Sequence, residues 1–149
     1  MGLSSFLTYF RQKLFKVYRK LSSKSTPPGT TYHRASRFIF SGRHFSGSRV
    51  KPEAFTPPKS FKLSCFWIDD LAEDVIWRIG DDIAGRPRGK QALASADVAR
   101  NDIFEVGLFT EDDPNPHPRH MNVCGWPTDK DEIKSLALDL CSRAILRIR

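Results

Sequence analysis

Arginine and histidine stand next to each other at Arg119 and His120, directly after a proline-rich segment, 114–118. The prolines remove backbone donors and favour extended neighbours, so the segment is predicted to be a stiff loop. A helix is predicted to begin shortly afterwards, at Thr128 or Asp129. Guanidinium groups bind phosphate, and the free N–H groups of a helix N-terminus attract anions. Arg119, His120 and Thr128 are therefore candidate ligands for a phosphate of a nucleotide or of nucleic acid.

The same region also has a structural interpretation. Trp126 would pack in the core, and Gly125 would supply a tight turn. Arg119 would pair with one of the acidic residues in 111–113. Short polar clusters beside a turn are usually structural. We predict that Trp126 is buried, and that Arg119 and His120 are partly exposed.

His117, His120 and Cys124 follow one another at spacings that metal ligands can adopt, with Cys141 or Cys65 as a fourth ligand. Zinc takes thiolates and imidazoles in tetrahedral sets, and its structural sites usually contain two tight ligand pairs. This segment contains one loose pair separated by proline, so we predict no metal and no other cofactor. Cys124 with His120 also resembles a thiol nucleophile with its base, but the sequence shows no third group to orient the histidine.

The segment Gly85–Lys90, G-R-P-R-G-K, resembles a phosphate-binding loop. A P-loop requires a glycine five residues before its Gly-Lys pair, where Ala84 stands. It also requires serine or threonine after the lysine, where Gln91 stands. The segment is therefore predicted to be a basic turn that contacts phosphate only non-specifically.

Charge is divided unevenly along the 149 residues. Residues 1–65 contain 13 lysines and arginines and one acid, Glu53, which gives a net charge of +12. Residues 66–149 contain 11 basic and 16 acidic residues, a net charge of −5. The chain therefore consists of a strongly basic arm joined to a mildly acidic domain, and the arm is expected to meet an anionic partner.

Residues 1–21 are predicted to form a basic amphipathic helix, because their apolar residues recur at three- and four-residue steps. The cations fall mainly off the apolar face and are Arg11, Lys13, Lys16, Arg19 and Lys20. The helix would dock on the domain or a protein partner, lie on an anionic membrane surface or act in targeting, or contact nucleic acid. Residues 22–31 are rich in serine, threonine and proline, and are predicted to be a flexible linker.

Arginine alternates with aromatic residues after the linker. The arginines are Arg34, Arg37, Arg43 and Arg49, and the aromatic residues are Tyr32, Phe38, Phe40 and Phe45. Such a pattern suits single-stranded nucleic acid, because guanidinium groups meet phosphates while rings stack on bases. The alternative is a short strand at Phe38–Phe40 with solvated arginines.

Three cysteines at irregular spacing do not indicate a disulfide framework of a secreted protein. No apolar run approaches the length of a membrane span, and no signal peptide is apparent. The sequence therefore predicts a cytoplasmic protein.

Residues 32–149 are predicted to form a single α+β domain with a small mixed or antiparallel sheet of three to four strands and two main helices. The predicted strands are 62–68, 103–110 and 121–124, and the predicted helices are 70–84 and 129–146. Asp70 with Glu73, and Asp129 with Glu132, have the spacing of a capping box. Residues 92–101 are predicted to be a short helix, and 103–110 is predicted to form a hairpin with 121–124.

Residues 119–127, R-H-M-N-V-C-G-W-P, precede a helix rich in lysine and glutamate. This region, over 118–140, resembles a motif of small uncharacterised bacterial proteins, R-H-x-N-[IV]-x-G-W-P. The resemblance implies a bacterial protein and carries no activity. A second likeness, Y-H-R at 32–34 and K-P-x-A-F at 51–55, resembles ADP-ribosyltransferase-like folds, although the glycine-rich and acidic residues of those enzymes are absent.

The sequence favours a non-catalytic accessory or interaction protein whose basic N-terminal region binds an anionic partner, most simply nucleic acid. Two alternatives remain open. One is an enzyme that acts on a nucleotide-like substrate at Arg119 and His120. The other is a peripheral membrane protein held by the helix at 1–21.

Overall fold

A computed structural model describes residues 31–149. The strands in this range are β1 (Arg34–Ile39), β2 (Phe45–Ser46), β3 (Arg49–Val50), β4 (Leu63–Trp67), β5 (Ala94–Ala99), β6 (Phe109–Asp112), β7 (His120–Cys124) and β8 (Ile145–Ile148). The α-helices are α1 (Glu73–Arg78), α2 (Arg100–Glu105) and α3 (Lys130–Arg143). A π-helical segment, Ile79–Ala84, continues α1. The arm and nearly all of the linker predicted for 1–31 lie outside the described residues.

Six strands form one antiparallel sheet in the order β6-β7-β4-β1-β5-β8, and β2 with β3 forms a separate hairpin. The predicted α+β class is confirmed, but the sheet has six strands, whereas three to four were predicted. A hairpin with β7 does form, but its first strand is Phe109–Asp112, so only the last two residues of the strand predicted at 103–110 take part.

The two faces of the sheet are covered differently. On the first face, apolar side chains of β1, β4, β5 and β7 pack against Ala137 and Leu140 of α3. On the second face, Phe38 and Phe66 pack against residues of α1 and of the π-helical segment, such as Ile79. We name these the α3 face and the α1 face. Burial of this apolar surface on both sides is the main stabilising contribution to the fold.

Several elements differ from the sequence prediction. Residues 94–99 form the strand β5 inside the helix predicted at 92–101. Arg100–Glu105 forms helix α2, which covers the first three residues of the strand predicted at 103–110. Helix α3 ends at Arg143, and the chain then pairs with β5 as strand β8. In each case a long-range pairing or packing contact outweighs the local preference.

The two predicted capping boxes have different outcomes. Asp129 is the N-cap of α3, and its side chain accepts a hydrogen bond of 3.1 Å from the backbone N–H of Glu132. Asp70 instead has a left-handed backbone, with φ +59°, and lies ahead of the helix. Helix α1 begins after Ala72, which makes no side-chain cap. Asp129 therefore caps α3 at the predicted position, whereas the prediction that Asp70 caps a helix was wrong.

The ladder between the two central strands is incomplete. The register pairs of β1 with β4 are Ala35 with Trp67 and Ser36 with Phe66. The pairing of β1 with β5 continues as far as Ile39, and that of β4 with β7 as far as Leu63. The sheet is therefore split between the last residues of β1 and the first residues of β4. A cavity lined by Arg37 opens at this split.

Candidate functional site

The structure separates the three residues proposed as a phosphate site. Arg119 precedes β7, whereas Thr128 follows it, beyond the turn at 125–127. At about 3.3 Å per residue, the five residues of β7 span roughly 13 Å. The corner predicted from the sequence is therefore not formed, because the N-terminus of α3 lies at the other end of the strand.

Arg119 is held by groups that do not include the predicted acidic residues 111–113. Its guanidinium donates a hydrogen bond of 2.6 Å to the carbonyl oxygen of Asp69. The same guanidinium lies over the ring of Tyr32, 4.6 Å from its centroid. Tyr32 in turn stacks on Trp67. Arg119 thus joins the residues before β1 to the end of β4, which is a structural role.

His120 is 8% exposed, which corrects the prediction that it is partly exposed. Its Nε2 lies 2.7 Å from the hydroxyl of Ser64, and its Nδ1 lies 2.8 Å from the carbonyl oxygen of Asp113. The ring also packs against Phe66, with 5.2 Å between centroids. Trp126 is buried as predicted, and its indole N–H donates to the carbonyl oxygen of Val123.

Cys124 is a poor nucleophile. Burial raises the pKa of its thiol to about 11, so the reactive thiolate is scarce at neutral pH. Its Sγ–H instead lies 3.8 Å from the carbonyl oxygen of Asn122. Within residues 31–149, no group of three or more histidine, cysteine or acidic side chains is placed to hold a metal ion.

A basic cavity of about 310 Å³ opens at the split in the sheet. Among the described residues, its lining contains three cations and a histidine, together with two aromatic rings and two small residues, and no acidic residue. The lining residues are Arg37, Phe38, Phe40, Ser41, His44, Ala54, Arg88 and Lys90. The cavity therefore combines positive charge with ring surface, which suits a phosphate ester attached to a planar group.

The loop Gly85–Lys90 forms one wall of this cavity. A Cβ on Gly85 would lie 2.1 Å from the carbonyl oxygen of Lys90, so glycine is required for the loop to close on itself. Gly89 has φ +60°, the left-handed conformation that glycine adopts readily. The two glycines fold the loop so that Arg88 lies over the ring of Phe40, 4.9 Å from its centroid.

Arg37 forms the back of the cavity and bridges the split. Its guanidinium donates to the carbonyl oxygen of Ala54 at 3.1 Å and to that of Ser64 at 2.9 Å. Burial, and to a lesser extent the charge of Arg88, lowers the pKa of Arg37 from its ordinary value. Arginine still remains charged at neutral pH, so this side chain contributes a fixed positive charge.

The arginines predicted to bind nucleic acid are divided by the structure. Arg34 pairs with the buried carboxylate of Asp97 at 3.4 Å, and Arg37 lies inside the basic cavity. Arg43 and Arg49 are exposed. The predicted cations at 11–20 lie outside the described residues. Arg34 and Arg37 therefore also stabilise the fold through contacts within the domain. The alternation of arginine with aromatic residues in the sequence did not indicate this role.

Sequence reasoning missed a set of polar side chains on the α1 face. Asp97 is 3% exposed and receives hydrogen bonds from Arg147 at 2.8 Å and from Ser95 at 3.4 Å. The hydroxyl of Ser36, which stands opposite Asp97, is buried and has no hydrogen-bond partner among residues 31–149. The alternation of Ala94, Ala96 and Val98 with Ser95 and Asp97 was the available signal, because a period of two indicates a strand with one polar face.

No protein-family model matches the sequence, and neither a curated protein nor a solved structure is similar to it. The resemblance of residues 118–140 to a bacterial motif therefore stays a prediction. None of the helices in residues 31–149 has the length and apolar character needed to cross a membrane.

Proposed function

We propose that this protein binds a phosphate-bearing polymer, nucleic acid, without catalysing a reaction on it, and that the basic cavity is its contact on the domain. The observation that supports the proposal is the lining of the cavity, where Arg37, Arg88 and Lys90 meet without an acidic residue. Nucleic-acid affinity comes largely from cations that neutralise phosphates.

The aromatic surface favours a single strand over a duplex. Phe40 is partly exposed beside the guanidinium of Arg88, so a splayed base can stack on the ring or on the guanidinium plane. The exposed Arg43 follows shortly after the end of β1 and extends the positive surface. The basic residues at 11–20 would add further phosphate contacts along the same strand.

The proposal is tested with the full chain and a fluorescent single-stranded oligonucleotide titrated over a range of salt concentrations. Replacement of Arg88 and Lys90 by Gln is expected to weaken binding. If each makes one phosphate contact, the slope of log affinity against log salt falls by about 1.4, at about 0.7 per contact. Replacement of Arg11, Lys13, Lys16, Arg19 and Lys20 by Gln tests the arm in the same way.

A matched control removes the same charge from another surface. Lys130 and Lys134 lie on α3 beside a different cavity, whose lining includes Glu53. Equal losses of affinity in Lys130→Gln/Lys134→Gln and in Arg88→Gln/Lys90→Gln would show that net charge, and not the cavity, governs binding.

A second variant keeps every charge and changes only the loop. Gly85→Ala places a methyl group against the carbonyl oxygen of Lys90, so the loop must open. Weaker binding by a folded Gly85→Ala protein supports the cavity as the contact. Binding to anionic vesicles with none to the oligonucleotide would reject nucleic acid and favour a membrane surface.

A further inference from the structure

Ser64 and His120 form a hydrogen-bonded pair on neighbouring strands of the α1 face, 2.7 Å apart. The tautomer of His120 follows from its other partner. Nδ1 lies 2.8 Å from the carbonyl oxygen of Asp113, which can only accept, so Nδ1 carries the proton in the neutral ring. Nε2 is then the acceptor, and the Ser64 hydroxyl donates to it.

Asp113 orients the ring of His120 through both its backbone and its side chain. Asp113 accepts from Nδ1 through its backbone carbonyl, and its carboxylate Oδ2 lies 3.6 Å from the same nitrogen. The backbone N–H of Asp113 also donates to the carbonyl oxygen of His120, which fixes the loop against β7. A hydroxyl, a base within hydrogen-bond reach and a third group that orients the base are the features of an activated nucleophile.

An amide side chain lies beside this pair. Asn122 stands directly opposite Ser64 in the β4–β7 register. It is 6% exposed and lies on the same face of β7 as His120, two residues along the strand. Residues opposite each other in an antiparallel pair have Cβ atoms about 4.5–5.5 Å apart, so the amide is close enough to stabilise an oxyanion that forms at Ser64.

We propose that Ser64, His120 and Asn122 form a nucleophilic site for small esters, with Asp113 as the positioning residue. The Ser64 Oγ–C bond forms at the ester carbonyl, and His120 Nε2 takes the hydroxyl proton. The C–O bond to the alcohol then breaks, and His120 returns the proton to the departing alcohol. Water, activated by His120 in the same way, hydrolyses the acyl-serine and restores the free hydroxyl. This activity goes beyond the nucleic-acid binding proposed above, and neither depends on the other.

The first experiment uses the intact wild-type chain and a fluorophosphonate probe. Attack by Ser64 forms a P–O bond, displaces fluoride and passes the proton to His120. Mass spectrometry of the digested protein is expected to place the adduct on Ser64. Ser60 and Ser135, which are exposed, serve as controls within the same molecule. No adduct on Ser64, or an equal amount on the exposed serines, overturns the proposal.

The second experiment follows hydrolysis of p-nitrophenyl acetate. Loss of the general base is expected to lower the rate by about 10²–10⁴-fold in His120→Gln, and Ser64→Ala is expected to lose the burst of p-nitrophenol. Asp113→Asn keeps the backbone carbonyl and should lower the rate less than His120→Gln. Ser135→Ala should leave the rate unchanged. Equal rates for all these proteins overturn the proposal.

A third experiment compares the thiol reactivity of two variants that share the substitution Ser64→Cys. Ser64→Cys places a thiol against Nε2 of His120, and its alkylation by iodoacetamide should be faster than in Ser64→Cys/His120→Gln. Both variants also carry Cys141→Ser, because Cys141 is the native cysteine that is only partly buried. Burial raises the pKa of Cys65 to about 12 and that of Cys124 to about 11, so these two thiols contribute little background. Equal alkylation rates in the two variants show that His120 does not act as a base towards residue 64.

Discussion

Arg37 donates a hydrogen bond of 2.9 Å to the carbonyl oxygen of Ser64, at the place where the ladder between β1 and β4 has ended. A side chain thus satisfies a carbonyl that a backbone N–H of the neighbouring strand would satisfy in a continuous sheet. The same side chain closes the back of the basic cavity. The backbone of the proposed nucleophile and the cavity are therefore joined through one guanidinium.

Arg37→Met should remove the two hydrogen bonds by which this side chain bridges the split in the sheet. The substitution keeps an apolar stem but leaves the carbonyl oxygens of Ala54 and Ser64 without their donor. An unsatisfied buried polar group costs about 1–3 kcal/mol, and we expect a loss of this size in the free energy of unfolding. Urea unfolding measures it, with Arg43→Met, at an exposed position, as the control. Equal stability of the two variants would contradict the bridging role.

Trp126→Ala should destabilise the domain by about 3–5 kcal/mol, as truncation of buried aromatic residues does. Trp126 is 7% exposed and belongs to the cluster on the α3 face. Thermal and urea unfolding measure the loss, and Leu138→Ala, at a position 56% exposed on α3, is the control. A loss below about 1 kcal/mol for Trp126→Ala, which is typical of substitutions at exposed positions, would contradict a role of Trp126 in the core.

The carboxylate of Asp81 should make the free energy of unfolding depend on pH. The hydrogen bond from Arg149 lowers the pKa of Asp81, with further help from the backbone N–H of Ala92. The folded pKa lies below the unfolded one, so the carboxylate stabilises the fold above the unfolded value and the gain is lost as pH falls through the folded value. Stability should therefore fall below about pH 4 in the wild type.

Asp81→Asn should remove that part of the pH dependence and cost about 1–2 kcal/mol at neutral pH. Asp82→Asn is the matched control, because Asp82 is adjacent in sequence and exposed. Unfolding measured from pH 3 to 7 compares the two variants with the wild type. Identical pH profiles for Asp81→Asn and the wild type would refute the assignment.

Arg147→Met should destabilise the domain by about 3 kcal/mol. The carboxylate of Asp97 is 2% exposed, and Arg147 is its shorter contact, at 2.8 Å. Removal of one partner leaves a buried charge with poor compensation. The double variant Arg147→Met/Asp97→Leu removes the charge as well and should recover part of the loss. If the double variant is no more stable than Arg147→Met, an unpaired charge is not the cause.

The sequence predicted the elements that carry strong local signals. Strand β4 follows from its continuous run of apolar and aromatic residues, and the start of α3 follows from Asp129, whose carboxylate caps the helix. Residues 94–99 were missed because alanine and serine have weak strand preference, although they alternate. Their strand conformation depends on the pairing with β1 and β8, which no local pattern shows.

The site was predicted less completely than the fold. Arg119 and His120 were predicted to bind an anion together because they are adjacent in sequence, whereas the structure places their side chains in two separate hydrogen-bond networks. The pair of Ser64 with His120 joins residues 56 positions apart. Only the register of β4 against β7 brings them together, and that register is a property of the whole sheet.

The strand order has a consequence for how fast the chain can fold. Of the five pairings that residues 31–149 make in the large sheet, only that of β6 with β7 joins strands that follow each other directly in the chain. The central strand β1 pairs with β4 and with β5, and β5 pairs with β8, and each of these pairings joins strands that are separated by other elements in the chain. Such non-local pairings require the loss of loop entropy before they contribute any contact. Refolding on the millisecond-to-second scale is therefore expected, and the β6–β7 hairpin is the part of the sheet that can form first.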